Sequence, residues 1–196
     1  MFRLAWFQLT WVLMVAGSQM AAESPKYGIG RTATSEEIRA LDYTIPPDGT
    51  GLPEGRGTAA EGRDVYARRC QRCHGPKGEG GDEPKQAKLV GGRESLKTPK
   101  PLKTVGSYWP YAATVWDYTN RSMPFDKPGT LAPNQVYSVV AFVLYMNGIV
   151  GENEVLDAKT LPRVQMPNRN GFTGDPRPDT GAKKPEGKKA RKVQKN

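Results

Sequence analysis

The feature that most constrains this chain is the segment RRCQRCHGPKGEGG, residues 68–81, which contains both cysteines and the only histidine among 196 residues. Cys70, Cys73 and His74 follow the spacing C-x-x-C-H. Such a group suits a structural zinc site, a redox-active dithiol, a structural disulfide, or covalent attachment of a prosthetic group. In any fold of this chain, two thiols and one imidazole therefore lie close together, because they fall within five residues.

Three of these four uses fit the sequence poorly. A structural zinc ion takes four protein ligands, mostly Cys and His, and the chain has three such residues in total. A thioredoxin-type dithiol belongs near a βαβ pattern, which this sequence does not show, and it gives no role to His74. A disulfide between Cys70 and Cys73 closes a very short loop and therefore stabilises little.

The spacing C-x-x-C-H is the attachment signature of c-type haem. The two thiols add to the vinyl groups of the porphyrin, and the next residue places an imidazole beneath the iron. The spacing matters because both thioethers have to reach the same edge of a rigid ring. We therefore predict one covalently bound haem c, attached through Cys70 and Cys73, with His74 as an axial ligand of the iron.

The sixth iron ligand has to be another residue type, because the chain has no second histidine. Methionine is the usual alternative in electron-transfer cytochromes, and it raises the reduction potential. The predicted ligand is Met123, in the proline-stiffened loop RSMPFDKPG. Met166 is one alternative, and a water-bound or open site is another. Met146 falls within a long apolar segment, where core packing explains a methionine better.

Smaller roles follow from what a bound haem needs. The other ring N–H of His74 should reach a backbone carbonyl, which fixes the tautomer and raises the basicity of the ligand. Pro76 and Pro84 lie in the segment that is expected to supply that carbonyl. Haem propionates need hydrogen-bond donors, and the candidates are Arg93, Tyr108 and Trp109. A surface arginine or a core aromatic explains each of these three residues equally well.

The N-terminal segment MFRLAWFQLTWVLMVAGSQMAAES has the layout of a secretory signal peptide, with a basic residue, an apolar stretch and then small residues. We predict a signal peptide over residues 1–22, cleaved near Ala21 or Ala22. The apolar stretch is shorter than the ~20 residues of a membrane-spanning helix; a retained N-terminal anchor is the alternative. Export predicts a periplasmic protein, in an oxidising compartment where free thiols are rare.

Two capping boxes predict the first helices of the mature chain. Thr34 with Glu37, and Thr58 with Glu61, have the spacing in which each side chain hydrogen-bonds to the backbone N–H of the other. The second box opens a helix that runs into the C-x-x-C-H segment. Gly62 inside this helix costs about 1 kcal/mol relative to alanine, which indicates that another backbone passes close to it.

Prolines predict two more helices. In WPYAATVWDYTNR, Pro110 is expected at the first helical position, and in APNQVYSVVAFVLYMNG that position falls to Pro133, with Asn147-Gly148 as the stop. No segment has a convincing strand pattern. The net charge of +9 comes mostly from residues 175–196, which contain eight Lys or Arg and three Asp or Glu. We interpret this segment as a solvated, disordered tail without a nucleic-acid motif.

The order of segments along the chain resembles that of a class I cytochrome c. It consists of a helix, C-x-x-C-H, a Gly-rich loop, an M-P-F loop and a final helix. The resemblance covers residues 58–148 and implies an all-α domain in which the first and last helices cross. Gly62 and Tyr66 would meet the face from Tyr137 to Tyr145 at that crossing.

A narrower resemblance covers nearly all of the mature chain. The segments that carry it are YGIGRTATSEEIRALD, DGTGLPEGRGTAAEGRDVYARRCQRCHGPKGEGG, VGSYWPYAATVWDYTNRSMPFDKPG and YMNGIVGENEVLDAKTLPRVQMPNRNGF. They are similar to the cytochrome subunit of periplasmic sulfite or sulfane dehydrogenases of sulfur-oxidising bacteria. The resemblance implies that Cys70, Cys73, His74 and Met123 are the haem residues. Several relatives have a second haem domain, whereas this chain has one C-x-x-C-H and so holds one haem.

The resemblance also implies a role and partners. A molybdenum-pterin subunit of the sulfite oxidase type would oxidise sulfite or a sulfane sulfur carrier, and the haem would accept its two electrons singly and pass each to a downstream cytochrome c. This chain would then be a non-catalytic electron-transfer subunit. A free-standing periplasmic electron carrier is the alternative, and a haem enzyme or ligand sensor with an open sixth site is a third reading.

The predicted organisation has extended arms on either side of the haem domain, and these arms are candidates for embracing the catalytic partner. Its five parts are the signal peptide 1–22, the N-terminal arm 23–57, the cytochrome c domain 58–148, the C-terminal extension 149–174 and the basic tail 175–196.

Overall fold

The computed structural model describes residues 27–81, 87–175 and 177. The predicted signal peptide, Pro84 and nearly all of the basic tail lie outside the described residues. The chain divides into two compact units, with the boundary between Leu41 and Asp42. No described helix combines the length and the apolar character that crossing a bilayer requires.

Helices make up almost all of the regular structure in the described residues, which confirms the all-α fold class. The first unit contains helix α1, and the second contains the other helices, two short 3-10 helices and one pair of two-residue strands. Their bounds are α1 Ser35–Leu41, α2 Ala59–Arg69, α3 Gln71–His74, α4 Ala112–Ser122, α5 Pro133–Met146, the 3-10 helices Arg93–Lys97 and Leu161–Arg163, and the strands β1 Arg56–Gly57 and β2 Leu156–Asp157.

Strands β1 and β2 pair antiparallel, with Gly57 opposite Leu156. The sequence predicted no strand, because two residues are too few to show the alternation that identifies one. The pair joins the segment before α2 to the segment after α5. Residues on both sides of the predicted domain 58–148 are therefore part of the same folded unit.

Both predicted capping boxes are present. Within the first unit, the Glu37 N–H donates to Thr34 Oγ1 at 3.2 Å, and the Thr34 N–H donates to Glu37 Oε2 at 2.8 Å. At the start of α2, the Glu61 N–H donates to Thr58 Oγ1 at 3.3 Å, and the Thr58 N–H donates to Glu61 Oε2 at 2.7 Å. Each box satisfies N–H groups that have no partner within the helix itself.

Helix α4 begins two residues later than predicted. Pro110 was expected at its first position, but Tyr111 is the N-cap, with an extended backbone at φ −137° and ψ 132°, and the helix starts at Ala112. The fixed φ of proline suits an extended segment as well as a first helical turn, so the residue alone does not define the start. The prediction for α5 is confirmed, because Pro133 is its first residue and Asn147 its C-cap.

The crossing of α2 and α5 forms the centre of the core. Gly62 faces α5 so closely that a Cβ there would overlap the backbone carbonyl of Ser138. One turn further along α2, the Tyr66 ring packs against Phe142 with ring centroids 5.3 Å apart. This confirms the predicted contact of Gly62 and Tyr66 with α5, and it explains why a helix-weakening glycine is present.

Residues beyond α5 also contribute to the core. Leu156, Leu161 and Met166 expose at most 3% of their surface. On the N-terminal side, Ile45 is buried and its N–H donates to the buried carboxylate of Asp117 at 2.9 Å. The boundaries assigned from the sequence at residues 57–58 and 148–149 stay predictions.

We predict that Gly62→Ala lowers the free energy of unfolding by about 2 kcal/mol or more, since overpacking costs 1–3 kcal/mol and backbone is the obstacle here. Urea denaturation of the purified holoprotein measures the change. Gly151→Ala is the matched control, because a Cβ at Gly151 would lie 3.9 Å from its nearest neighbour, the Glu154 side chain. Equal stability of the two variants would contradict the close crossing.

Candidate cofactor site

The C-x-x-C-H segment forms one helical turn directly after α2. Cys70 ends α2 with its N–H bonded to the Tyr66 carbonyl at 2.8 Å. The N–H groups of Cys73 and His74 then donate to the Cys70 carbonyl at 3.1 and 3.0 Å. Residues three and four apart share one face of a helix, so both thiols and the imidazole lie on neighbouring parts of the same surface. Gly75, at φ +76°, ends the turn.

The two cysteine side chains have different surroundings. Cys70 is half-buried against the hydrophobic core, and Cys73 is exposed. Burial, together with a smaller contribution from the neighbouring Cys73, raises the pKa of the Cys70 thiol to about 11. A redox-active C-x-x-C dithiol requires the opposite, a thiol with a lowered pKa. The environment of Cys70 therefore disfavours the thioredoxin-type alternative.

The His74 ring is oriented by a backbone carbonyl. Its Nδ1 lies 2.7 Å from the carbonyl oxygen of Ala87. A carbonyl oxygen only accepts hydrogen bonds, so Nδ1 carries the proton and donates it. In the neutral imidazole Nε2 is then the nitrogen without a proton, and its lone pair can bind a metal ion. A backbone carbonyl is the kind of partner predicted from the sequence, although it belongs to Ala87 and not to Pro76.

Hydrogen bonds within the loop explain why the partner is Ala87. The chain leaves the turn at Gly75, and the Gly78 carbonyl accepts the N–H groups of Leu89 and Val90 at 2.8 and 3.1 Å. These bonds bring the returning segment back beside His74. Pro76 lies before that return, so its carbonyl is not the one that meets the ring.

Tyr66 joins α2 to the end of the C-x-x-C-H segment, residues 70–74, which forms the cofactor turn. Its hydroxyl donates to the Gly75 carbonyl at 2.8 Å, and the ring is 1% exposed. Burial raises the pKa of Tyr66 well above its ordinary value, with smaller contributions from Cys70 and Glu79. The phenol therefore stays protonated and keeps its donor. One residue thus contributes both to the α2–α5 core and to the position of the turn.

The loop that begins at Met123 lies close to the cofactor turn. Met123 follows α4 as its C-cap and is half-buried, with its N–H bonded to the Thr119 carbonyl at 3.1 Å. Arg72 belongs to the C-x-x-C-H segment, and Asp126 belongs to the loop that begins at Met123. Arg72 Nη2 lies 3.5 Å from Asp126 Oδ2. This pair brings together the two segments that the sequence analysis assigned to the iron.

The other methionines lie elsewhere. Met166 is 3% exposed and forms part of the hydrophobic core. Met146 is the last residue of α5 and is partly buried against that core. In the described part of the chain, no three His, Cys, Asp or Glu side chains are grouped to hold a metal ion. The donor set therefore suits an iron that is already held in a porphyrin better than a bare zinc ion.

The three predicted propionate contacts have partners within the protein. Arg93 donates to the backbone carbonyls of Gly106 and Asn147. The other two residues take part in aromatic contacts. These are Tyr108 with Phe172 at 5.2 Å and with the Lys103 ammonium at 4.9 Å, and Trp109 with Tyr118 at 5.7 Å.

Trp116 is a candidate that the sequence analysis missed. Its side chain is 1% exposed, and within the described residues its indole N–H has no hydrogen-bond partner. A buried, unpaired donor is costly and is expected where a group outside the chain accepts the bond. Trp116 precedes Met123 by seven residues, two turns of α4, so both lie toward the same side of that helix. The seven-residue spacing from Met123 is the sequence signal that could have identified Trp116 as a candidate.

These observations fit a covalently attached haem. Two thiols and an imidazole share one turn, the free ring nitrogen of His74 suits an iron ligand, and the unpaired indole of Trp116 suits a buried carboxylate acceptor. No other use of the motif accounts for all of these features together.

Comparison with known proteins agrees with this interpretation. The family model described as cytochrome c oxidase, cbb3-type, subunit III, matches residues 57–143. Among solved structures, a chain of the sulfane dehydrogenase SoxCD from Paracoccus pantotrophus is 42% identical, with a TM-score of 0.68 over 87% of each chain. No curated protein sequence matches significantly. The chain therefore belongs to the family of cytochrome c subunits of sulfane dehydrogenases of the SoxCD type, which transfer electrons.

Proposed function

We propose that this chain accepts electrons from a molybdenum-pterin catalytic subunit that oxidises sulfite or a sulfane sulfur, and passes them to a downstream cytochrome c. The observation that carries the proposal is the 42% identity, over 87% of both chains, with a chain of a sulfane dehydrogenase. When bound, haem c supplies a centre that takes up and releases one electron at a time.

Four side chains are proposed to hold the cofactor. The thiols of Cys70 and Cys73 form the thioether bonds, and the sequence has one such pair, which supports a single haem. Nε2 of His74 is one axial ligand, because Nδ1 is occupied by the Ala87 carbonyl at 2.7 Å. Met123 is the other, since its loop lies beside the cofactor turn. With His74 and Met123 as its ligands, the iron would have no position for a substrate, so we propose that the chain has no catalytic step of its own.

Donors to the propionates are proposed on the helix that precedes Met123. Trp116 has an indole N–H that no described residue accepts. The guanidinium of Arg93 already donates to two backbone carbonyls, while Tyr108 and Trp109 remain proposals from the sequence. An indole N–H keeps its proton at all accessible pH values, so Trp116 offers a permanent donor.

The segments outside the cytochrome c domain are proposed to contact the catalytic subunit. In the first unit, Tyr27 and Ile29 are 80% and 91% exposed, and α1 exposes Ile38 and Leu41. Apolar side chains on a surface are expected where another protein covers them. The basic tail, residues 175–196, is proposed to steer the chain toward acidic partner surfaces. We place the complex in the periplasm, where the predicted signal peptide directs the chain.

We predict that Met123→Ala opens one axial position and makes the reduced holoprotein bind carbon monoxide at neutral pH. The wild-type protein should not bind it, because both positions are filled. Spectral titration of the ferrous protein with carbon monoxide measures the effect. Met166→Ala and Met146→Ala are the matched controls, and both should behave like the wild type.

Two outcomes would count against this ligand assignment. Carbon monoxide binding by the wild-type protein would show that the site is open. Binding by Met166→Ala with none by Met123→Ala would move the ligand to Met166.

We predict that the native protein co-purifies with a second subunit that contains molybdenum, and that sulfite or a sulfane substrate reduces the haem of the complex. Size-exclusion chromatography at several salt concentrations, metal analysis and haem absorbance provide the measurements. Deleting residues 27–41 should weaken the complex while leaving the haem spectrum unchanged, since Cys70 and Met123 belong to the other unit. A haem-containing peak that always migrates alone would support a free-standing carrier instead.

A further inference from the structure

The Asn147 side chain, just beyond α5, holds three backbone groups. Its Oδ1 accepts the Gly91 N–H at 3.2 Å, and its Nδ2 donates to the carbonyls of Leu89 at 3.1 Å and Val143 at 2.9 Å. The Val143 bond ties the amide to its own helix. The other two bonds reach across to the segment that returns toward the cofactor turn. The side chain is thus a bridge between α5 and residues 89–91.

Residues 89–91 are also held on their other side, by Gly78, which follows the cofactor turn. The N–H groups of Leu89 and Val90 both donate to the Gly78 carbonyl. Residues 89–91 therefore lie between Gly78 and Asn147. Ala87, whose carbonyl accepts the His74 Nδ1 proton, is two residues before Leu89. A shift of residues 89–91 is therefore expected to move the Ala87 carbonyl relative to the His74 ring.

Two further contacts restrict the Asn147 amide and its backbone. A Cβ at Gly106 would overlap Asn147 Oδ1, so the amide packs directly against the Gly106 backbone. The Arg93 guanidinium donates to the Asn147 carbonyl and to the Gly106 carbonyl. The Asn147 amide is consequently held in one orientation, because Oδ1 accepts one hydrogen bond and Nδ2 donates two. The sequence analysis had identified Asn147 only as the stop of α5.

We infer that Asn147 is a positioning residue for the His74 iron ligand, acting through residues 89–91 and the Ala87 carbonyl. The inference rests on the proposed haem function. A hydrogen bond from Nδ1–H makes the imidazole a more basic ligand, which favours the oxidised iron and lowers the reduction potential. Asn147 thereby helps to set the reduction potential through the hydrogen bond of His74.

The experiment compares Asn147→Ala with Asn134→Ala in the full-length holoprotein. Asn134 is the matched control, because its Oδ1 accepts the Arg56 N–H at 2.9 Å at the opposite end of α5, far along the helix from residue 147. The measurements are the reduction potential and, by NMR of the reduced protein, the exchange rate of the His74 Nδ1 proton. Thermal unfolding of both variants measures the purely structural cost.

Asn147→Ala is expected to raise the reduction potential and to speed exchange of the Nδ1 proton at least about tenfold, the factor that a hydrogen bond weakened by ~1.4 kcal/mol would give. Asn134→Ala should lose stability without either change. Asn147→Asp keeps the acceptor for Gly91 but loses both donors to Leu89 and Val143, so it should also speed exchange of the Nδ1 proton. Its added negative charge shifts the potential by itself, so this variant is judged on the exchange rate. It also serves as the test if the alanine variant fails to fold.

The inference is overturned if Asn147→Ala leaves the potential and the exchange rate unchanged, if Asn147→Asp leaves the exchange rate unchanged, or if Asn134→Ala moves both by the same amount as Asn147→Ala. Failure of the proposed function is a separate result, because it appears in the wild-type protein. A wild type with no haem spectrum would refute the haem proposal itself. A wild type with normal haem and a slowly exchanging Nδ1 proton makes the comparison of variants decisive.

Discussion

The hydrogen bond between the His74 ring and the Ala87 carbonyl is the interaction on which the site depends. It assigns the proton to Nδ1 and leaves Nε2 as the ligand atom, within one turn of the two thiols. A carbonyl thirteen residues away can hold the ring only if its own position is fixed. Next to Ala87, residues 89–91 are held by Gly78 from the side of the cofactor turn and by Asn147 from the side of α5. The ligand geometry is therefore a property of the whole fold.

The α2–α5 crossing supplies the rigid frame for this arrangement. Helix α2 packs closely against α5 where Gly62 meets Ser138. Tyr66, one turn further along α2, donates a hydrogen bond to the carbonyl of Gly75. Because Asn147 is the C-cap of α5, the same pair of helices holds Gly75 through Tyr66 and residues 89–91 through Asn147. An electron-transfer protein benefits from such a frame, since a ligand set that does not move between oxidation states avoids a reorganisation cost.

The sequence was sufficient for the parts of the fold that depend on local chemistry. The capping box at Thr58, the first position of α5 at Pro133 and the close approach at Gly62 each follow from one or two neighbouring residues. The C-x-x-C-H spacing likewise specified the cofactor type. Where proline fits two local conformations equally, as at Pro110, the prediction of a helix start was wrong.

Features that depend on distant contacts were not predictable from one sequence. The pairing of β1 with β2 joins segments about 100 residues apart and leaves no local pattern. The role of the Ala87 carbonyl requires knowing how the loop returns, and the unpaired indole of Trp116 is visible only once its surroundings are packed. Tertiary contacts decide these features, so the sequence predicted the kind of partner for His74 but not its identity.

The most direct test of this account is the intact mass of the mature, exported protein after denaturation. The account predicts a mass that exceeds that of the polypeptide by one haem, with the added group mapped to a peptide containing Cys70 and Cys73. A mass equal to that of the polypeptide alone would contradict it.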